Sequence, residues 1–243
     1  MHLHGTVIHQ SPRPVVDTPL CYGLVVSRHQ IVMIGAGGFS REVLDVIEAI
    51  QHSARDSRLD VIGLLADPEP SDRLFEVYGV SYLGGLSKLS ELPPEVGYLI
   101  AIGSSEARQR IGTESSRRWS PSLVHPSAVI GRAVSLGPGT IVCANVTISN
   151  HITTGDHCVI NMNCTIGHDV KLGNWVTLSP GVSISGHCDV GDGVFFGTGA
   201  VVRDGCSIGD NAVVGMGSAV VSDVKADTTV VGIPARPTPR SVT

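Results

Sequence analysis

The sequence predicts two domains of different class, a small Rossmann-like α/β domain followed by an all-β domain, a left-handed parallel β-helix of hexapeptide repeats. Two observations lead to this prediction. From Val124 to Val220 a bulky apolar residue returns every six positions, and only Thr154 interrupts the series. Ahead of that stretch, from Gln30, a short apolar strand, a glycine-rich turn and a helical pattern follow one another.

The six-residue period matches neither an α-helix, which repeats at about 3.6 residues, nor a half-buried strand, which repeats at 2. It is typical of a parallel β-helix, in which three hexapeptides close one triangular coil. Residues about eighteen apart then stack at the spacing of neighbouring strands, roughly 4.8 Å. Hexapeptide coils are an exception to the right-handed crossover rule, so we expect a left-handed coil. The frequent glycine after each apolar position is expected to allow the tight bend.

The α/β domain begins with the apolar strand Ile31–Ile34, the turn Gly35–Ser40 and a helix that has apolar residues at helical spacing. A strand, a glycine turn and a helix form a unit that binds phosphate through backbone N–H groups. Ser40 stands where a complete dinucleotide fingerprint has its last glycine, so the turn does not indicate NAD. The glycines also fit a second interpretation, in which they serve only a tight turn.

Two more buried strands are predicted, Val61–Ala66, which ends at Asp67, and Tyr98–Gly103, with a helix from Glu106 to Arg118 after it. This order indicates a parallel sheet over residues 30–120. We assign residues 121–243 to the β-helix and its tail, in which Val230–Pro237 caps the open end. Residues 1–29 are expected to be a flexible extension.

Composition excludes several kinds of partner. The formal net charge is −5 and only 16% of residues are charged, which gives no basic surface for nucleic acid. No apolar run is long enough to span a bilayer. Of six cysteines, four fall at the small interior position of the repeat, and no CxxC pair occurs. These thiols are expected to be packing residues of a reduced, cytoplasmic protein.

The candidate catalytic residue is His168, which lies two positions after the apolar Ile166 at an outward corner. The repeat stacks Asn150 below it and Gly186 above it. Gly186 is expected to leave an open space and an exposed N–H beside the imidazole, as a general base with an oxyanion donor requires. His151 lies eighteen residues before Asp169 and His187 eighteen residues after it, so the repeat stacks the carboxylate between two imidazoles. Asp169 is therefore expected to orient one of them. Alternatively, a corner histidine serves only to hydrogen bond a turn.

The histidines at positions 151, 157, 168 and 187 also raise the possibility of zinc between subunits, as in hexapeptide carbonic anhydrases. A zinc site requires a pair of histidines close together. His151 and His157 are six residues apart and therefore fall on different faces of one coil. The sequence predicts no metal site.

Three segments carry a resemblance to a known family: IVMIGAGGFSREVLDVIEA in the first domain, NCTIGHDVKLGNWVTLSPG in the repeats and VVGIPAR in the tail. Together they resemble the sugar acyltransferases of the PglD/NeuD type over residues 30–237. The resemblance implies acetyl transfer from acetyl-CoA to an amine or hydroxyl of a sugar, commonly a nucleotide-linked 4-amino sugar. It also implies a homotrimer with active sites between subunits.

The resemblance implies roles for particular residues. His168 matches the catalytic base, Asp169 an acid that is often Glu, and Gly186 the backbone donor. The residues that it places near the sugar nucleotide are Gly37, Gly38, Phe39, Ala66, Asp67 and Gly103. Those that it places near acetyl-CoA are Thr177, Gly186, Thr198, Gly215 and Met216. Many members have His at the position of Phe39, some have His at that of Thr177, and a second Asp is frequent at that of Ala66.

The expected mechanism is direct transfer to an amine, because no cysteine occupies the corner to form an acyl-enzyme. An O-acetyltransferase of a sialic-acid-like sugar is the second possibility. An acetyltransferase for serine or another small metabolite, and a non-catalytic scaffold, remain open as further classes.

Overall fold

The computed structural model describes residues 29–53, 59–70, 74–115 and 118–238. The expected N-terminal extension lies outside these ranges, except that His29 begins the first strand. Within the described residues, no helix is both long enough and apolar enough to cross a membrane.

The first domain is a parallel sheet of four strands with two α-helices. The strands, in the spatial order β3-β2-β1-β4, are β1 (His29–Ile34), β2 (Leu59–Leu65), β3 (Tyr82–Gly84) and β4 (Gly97–Ile100). Helix α1 (Gly38–Ser53) connects β1 to β2, and α2 (Ser105–Glu114) follows β4. Two 3₁₀ helices, Leu74–Tyr78 and Leu86–Glu91, flank β3. The apolar residues of β1 and β4 are buried on both faces, as in parallel sheets generally.

Helix α2 is shorter than its predicted span of 106–118. It begins one residue earlier, because the Ser104 hydroxyl caps it by accepting a hydrogen bond from the Ala107 N–H (3.2 Å). It ends at Glu114. Gly112, near this end, packs closely against the second domain: a Cβ there would lie 3.1 Å from His157 Cδ2.

The second domain is a parallel β-helix of very short strands. Its strands are β5 (Leu123–Val124), β6 (Val129–Ile130), β7 (Val134–Ser135), β8 (Ile141–Val142), β9 (Thr147–Ile148), β10 (Ile152–Thr154), β11 (Val159–Ile160), β12 (Thr165–Ile166), β13 (Lys171–Leu172), β14 (Thr177–Leu178), β15 (Ser183–Ile184), β16 (Asp189–Val190), β17 (Phe195–Phe196), β18 (Val201–Val202), β19 (Ser207–Ile208), β20 (Val213–Val214), β21 (Ala219–Val220), β22 (Thr229–Val231) and β23 (Arg236–Thr238).

These strands form three sheets, one on each side of a triangular coil. The first has the order β7-β10-β13-β16-β19, the second β6-β9-β12-β15-β18-β21, and the third runs from β5 through β8, β11, β14, β17, β20 and β22 to β23. From β5 to β22 each strand pairs in parallel with the strand one coil away, as Val159 does with Thr177. The coil therefore has the predicted eighteen-residue repeat.

The interior of the coil is built by the predicted apolar positions. From Val142 onward these side chains are almost completely buried, and even Thr154 is only 9% exposed. The small positions four residues later also face inward, and the four cysteines among them are buried free thiols. The packing role predicted for these cysteines is confirmed.

The glycines that follow the apolar positions have a different purpose from the one predicted. Their backbone lies outside the left-handed region; the positive φ values occur two residues later, as at Asn163 (+59°) and Asp169 (+57°). The glycines are required by the close approach of successive coils, since a Cβ on Gly167 would lie 2.6 Å from the Gly186 nitrogen. The bend itself is made mainly by Asn, Asp, His and Gly in the left-handed conformation, and also by Ala133 and Trp175.

The first domain packs against the outer side of the third sheet of the coil. Leu123, Ile141 and Cys143 on its outer side share one hydrophobic cluster with α1 and the α/β sheet. At the far end, β22 pairs with β20 and then turns back through β23 in an antiparallel pair. Ala235 is buried against the interior there, so the tail covers this end of the coil as expected.

Candidate active site

The turn between β12 and β13 holds His168 and Asp169 at an outward corner. The His187 N–H donates to the His168 carbonyl (2.9 Å), and the Asp169 N–H donates to the Asn150 carbonyl (3.1 Å). The coils therefore stack in register at this corner, and His168 lies between Asn150 and Gly186 as predicted. Both functional side chains are about half exposed.

Asp169 fixes the protonation pattern of His168. One carboxylate oxygen, Oδ2, lies 2.9 Å from His168 Nδ1. This hydrogen bond holds the pKa of Asp169 below its usual value, and the neighbouring His187 and His151 lower it further. An ionised carboxylate only accepts hydrogen bonds, so the hydrogen of the neutral imidazole lies on Nδ1. The Nε2 lone pair is left free to take a proton.

His187 completes a compact group at this corner. Its ring meets that of His168 edge to face, with centroids 4.8 Å apart, and its Nδ1 is 3.8 Å from Asp169 Oδ2. The possible ligand atoms of His168, Asp169 and His187 lie within 4.8 Å of one another. The eighteen-residue stacking predicts His187 beside Asp169, but the zinc interpretation rested on the spacing of His151 and His157, so this trio was not considered as a metal group.

Gly186 lies against the His168 ring from the coil above, where a Cβ would be only 2.8 Å from Nε2. The open space expected beside it is therefore occupied by the imidazole, and Gly186 is buried. Its N–H has no hydrogen-bond acceptor among the described residues. At another corner, by contrast, the corresponding N–H groups of Asn174 and Asp192 donate to side chains of the next coil, at 2.7 and 2.9 Å.

In the first domain, the residues predicted to bind the sugar nucleotide gather at the carboxyl edge of the sheet. The Gly35 N–H donates to the Leu65 carbonyl (2.8 Å), and the Ser40 hydroxyl donates to the Ala101 carbonyl (2.8 Å). These bonds join the ends of β1, β2 and β4. Gly37 and Gly103 are exposed there, with no described atom within 4 Å of a Cβ built on either. Gly38, which begins α1, is also exposed.

The remaining predicted contacts in this domain have structural partners. Asp67 Oδ2 accepts a hydrogen bond from the Leu86 N–H (2.8 Å) at the start of a 3₁₀ helix. Ala66 is buried, and its carbonyl accepts from the Tyr82 hydroxyl (3.2 Å). Phe39 packs against the hydrophobic core of the domain. Of these, only Asp67 is exposed to solvent.

The residues expected near acetyl-CoA do not all lie together. Thr198, Gly215 and Met216 belong to a second corner, where Thr198 is exposed and Met216 is 81% exposed. Thr177 is only 5% exposed, because the first domain covers it. Its hydroxyl accepts a hydrogen bond from Arg108 (2.7 Å). We therefore remove Thr177 from the predicted coenzyme contacts.

Arg108, which the sequence analysis missed, connects the two domains and is completely buried. Its guanidinium donates to the carbonyls of Ile102 and Gly103 in the first domain, at 3.0 and 2.8 Å. In the β-helix it donates to the carbonyls of His157 and Trp175, at 3.1 and 2.9 Å, besides Thr177. Burial lowers its pKa to about 10, so it remains charged at neutral pH. Arg108 holds the Gly103 turn against the coil that follows His168.

The architecture and the site together define a class of protein. A parallel β-helix of hexapeptide repeats with an exposed His–Asp pair at one corner, joined to a glycine-turn α/β domain, is the arrangement of a two-domain hexapeptide acyltransferase. Residues 30–114 match the model of the PglD N-terminal domain, and residues 151–186 and 187–221 match that of the bacterial transferase hexapeptide (six repeats). The chain therefore combines a PglD N-terminal domain with the hexapeptide repeats of bacterial transferases, which confirms its resemblance to the PglD/NeuD-type sugar acyltransferases and the predicted left-handed β-helix.

Two solved structures resemble this chain over most of its length. The acetyltransferase domain of PglB from Neisseria gonorrhoeae has 26% identity and a TM-score of 0.79, covering 87% of this chain and 100% of that one. A mutant of perosamine N-acetyltransferase from Caulobacter crescentus, in complex with CoA and GDP-perosamine, has 29% identity and a TM-score of 0.78, covering 86% and 97%.

A curated relative is UDP-N-acetylbacillosamine N-acetyltransferase of Bacillus subtilis, which is 30% identical over 119 residues. The matched segment covers 47% of this chain and 51% of the relative, so the chain matches about half of that protein's length.

Proposed function

We propose that this protein transfers an acetyl group from acetyl-CoA to the amino group of a nucleotide-linked amino sugar. The observation that carries the proposal is the geometry at His168. Its Nδ1 is engaged by Asp169, its side chain is half exposed with the Nε2 lone pair free, and Gly186, whose N–H is unbonded among the described residues, lies against the ring. A base and an oxyanion donor side by side are what acyl transfer requires.

The transfer proceeds in one displacement at this corner. The acceptor nitrogen attacks the thioester carbonyl while His168 Nε2 accepts the proton that the nitrogen loses. The Gly186 N–H donates to the oxygen of the tetrahedral intermediate. The carbon–sulfur bond then breaks, and the proton passes from His168 to the departing thiolate of CoA. The described cysteines are buried inside the coil, which favours direct transfer over an acyl-enzyme.

The acceptor is assigned to the carboxyl edge of the α/β sheet. Nucleotides commonly bind at this edge, where strand ends and the positive N-terminus of a helix face the phosphates. The exposed Gly37 and Gly38 provide that environment before α1. Two relatives support an amino-sugar nucleotide by their names: one structure contains GDP-perosamine, and the curated relative is named for UDP-N-acetylbacillosamine.

A homotrimer completes the site. The His168 corner and the Thr198–Met216 corner lie on opposite edges of the sheet that contains β12, β15 and β18. Within one chain the sheet separates the two corners. A threefold arrangement around that sheet places the His168 corner of one copy beside the Thr198–Met216 corner of the next copy. The outward residues of this sheet are uncharged, which suits a buried interface: Val129, Thr147, Thr165, Ser183, Val201 and Ala219. Acetyl-CoA then binds between subunits.

The cytoplasm is the proposed location. The cysteines in the described residues are all free, which fits a reducing compartment. Acetyl-CoA is the co-substrate that the reaction needs, and no metal ion is part of the proposed chemistry.

Release of free CoA thiol tests this function directly. Purified protein is mixed with acetyl-CoA and one acceptor at a time, from a panel of UDP-, GDP- and dTDP-linked 4-amino sugars with sialic acid as the hydroxyl acceptor. We expect thiol release with an amino sugar, a product that resists alkaline hydroxylamine because it is an amide, and the same rate after treatment with a chelator.

Release with sialic acid alone, as a hydroxylamine-sensitive ester, would instead support the O-acetyltransferase. A rate that falls on chelation would contradict the metal-free mechanism. No release with any acceptor would overturn the proposal for these substrates.

A further inference from the structure

A second carboxylate faces His168 from the other side of Gly186. The stacking that places Gly186 above His168 places Asp204 above Gly186, one coil further. A Cβ built on Gly186 would lie 2.8 Å from His168 Nε2 and 2.9 Å from Asp204 Oδ1. The two polar atoms are therefore at most about 6 Å apart, roughly two hydrogen-bond lengths, so one nitrogen atom between them can contact both.

Asp204 is available for a ligand. Its side chain is exposed, and it makes no ion pair or side-chain hydrogen bond with any other described residue. Asp169, the other carboxylate at this corner, is engaged by His168 Nδ1 on the far side of the ring. Asp204 is thus the carboxylate on the side of Nε2, where the acceptor must present its nucleophile.

An amine and a hydroxyl differ in charge before they react. An alkyl amine is largely protonated near neutral pH, as the ordinary pKa values of amino groups indicate. A carboxylate accepts hydrogen bonds from such a cation, and hydrogen bonds to charged groups are stronger than neutral ones. A sugar hydroxyl is neutral and gains less from the same carboxylate.

We propose that Asp204 binds the positively charged amino group of the acceptor sugar beside His168 Nε2, so that this corner selects an amine over a hydroxyl. This inference rests on the proposed function and deepens it. Asp204 is an acceptor-binding residue; His168 remains the base. The bound ammonium first releases one proton to solvent, and His168 accepts the second proton when the resulting neutral amine attacks the thioester. The selection acts on binding, so its signature is the KM for the acceptor.

The test compares Asp204→Asn with Asp189→Asn, which removes an equal charge from another exposed aspartate. Asp189 and Lys171 lie on neighbouring strands of the sheet that contains β13 and β16, with Asp189 Oδ1 3.7 Å from Lys171 Nζ. Both proteins are assayed by thiol release with the amino-sugar nucleotide that the wild type accepts. We expect Asp204→Asn to raise the acceptor KM about 10-fold or more at pH 7. The KM for acetyl-CoA stays at the wild-type value, and Asp189→Asn behaves as wild type.

The pH dependence separates charge recognition from a loss of structure. Above the pKa of the acceptor amine the cation disappears, so the difference between Asp204→Asn and wild type shrinks; a structural defect would persist. An unchanged acceptor KM in Asp204→Asn overturns this inference while the wild-type turnover still supports the proposed function. A wild type that acetylates only hydroxyls, or nothing in the panel, overturns both.

Discussion

Asp169 shows how a single residue in this fold meets a structural and a chemical demand together. It occupies the left-handed position of its turn (φ +57°), which Asp and Asn adopt more readily than most residues. From there its carboxylate reaches back to Nδ1 of the preceding His168. The geometry of the hexapeptide turn thus brings the orienting acid beside the base without help from another element.

His157 occupies the same left-handed position in another turn but lies in a different environment. It is 6% exposed, with its Nε2 3.2 Å from the Tyr98 hydroxyl. Burial lowers the pKa of His157 most. The nearby Asp156 raises it and Arg108 lowers it, and the net effect is a lowered pKa. The unfolded protein therefore binds a proton more readily at this histidine than the folded protein does.

We predict that His157 makes the folded state less stable in mild acid. Its contribution is complete above the unfolded pKa of about 6.5 and declines as the pH falls from there toward the folded pKa. Urea unfolding at pH 7.5 and 5.5 measures this loss in the wild type. In His157→Asn, which suits the left-handed turn, the loss between the two pH values should be smaller. Equal losses in both proteins would contradict the assignment.

At the scale of elements, helix α2 connects the two domains through one side chain. Arg108 satisfies carbonyl groups of the turn after β4 and of the coil that contains β14. No carboxylate is paired with it in the described ranges, so its charge is balanced by backbone and hydroxyl dipoles alone. The interface is therefore specific to a planar group with five N–H donors.

We predict that Arg108→Met lowers the free energy of unfolding by about 3 kcal/mol or more, because buried carbonyl groups lose their donors. Arg110→Met is the matched control, since Arg110 is exposed on the same helix. Its effect should stay within about 0.5 kcal/mol. Urea denaturation of both variants gives the comparison, and similar stabilities would contradict the role given to Arg108.

The elements were predictable to different extents. A period of six residues specifies the coil, its stacking and its inward positions, so the neighbours of His168 follow from the eighteen-residue spacing alone. The glycine-turn unit likewise indicated the parallel sheet. Thr177 could not be placed correctly, because an outward position looks the same in sequence whether it faces solvent or another domain. The roles of Arg108 and His157 depend on contacts between the domains, which local pattern does not contain, whereas Asp204 lies on the same eighteen-residue spacing and could have been found by extending it one coil further.

At the scale of the whole molecule, the coil carries two distinct corners and one uncharged sheet between them. This arrangement fits a trimer in which each site is shared. A charge on that sheet would be buried without a partner at the interface, which is strongly unfavourable.

We predict that Val201→Glu, on β18, converts the proposed trimer to monomers and abolishes acetyl transfer while circular dichroism stays unchanged. Thr153→Glu places the same charge on an exposed position of β10, on another sheet, and should leave the trimer intact. Sedimentation velocity gives the oligomeric state. An active monomeric Val201→Glu protein would show that the site is complete within one chain.

The most direct test of His168 as the catalytic base is the turnover number of His168→Asn with the accepted amino sugar, measured beside wild type at saturating acetyl-CoA. His168 is exposed, so the substitution should not affect folding. We predict a fall in kcat of about 10²- to 10⁴-fold, the usual contribution of a general base, with the Kd for acetyl-CoA unchanged. A kcat equal to that of wild type would contradict the assignment.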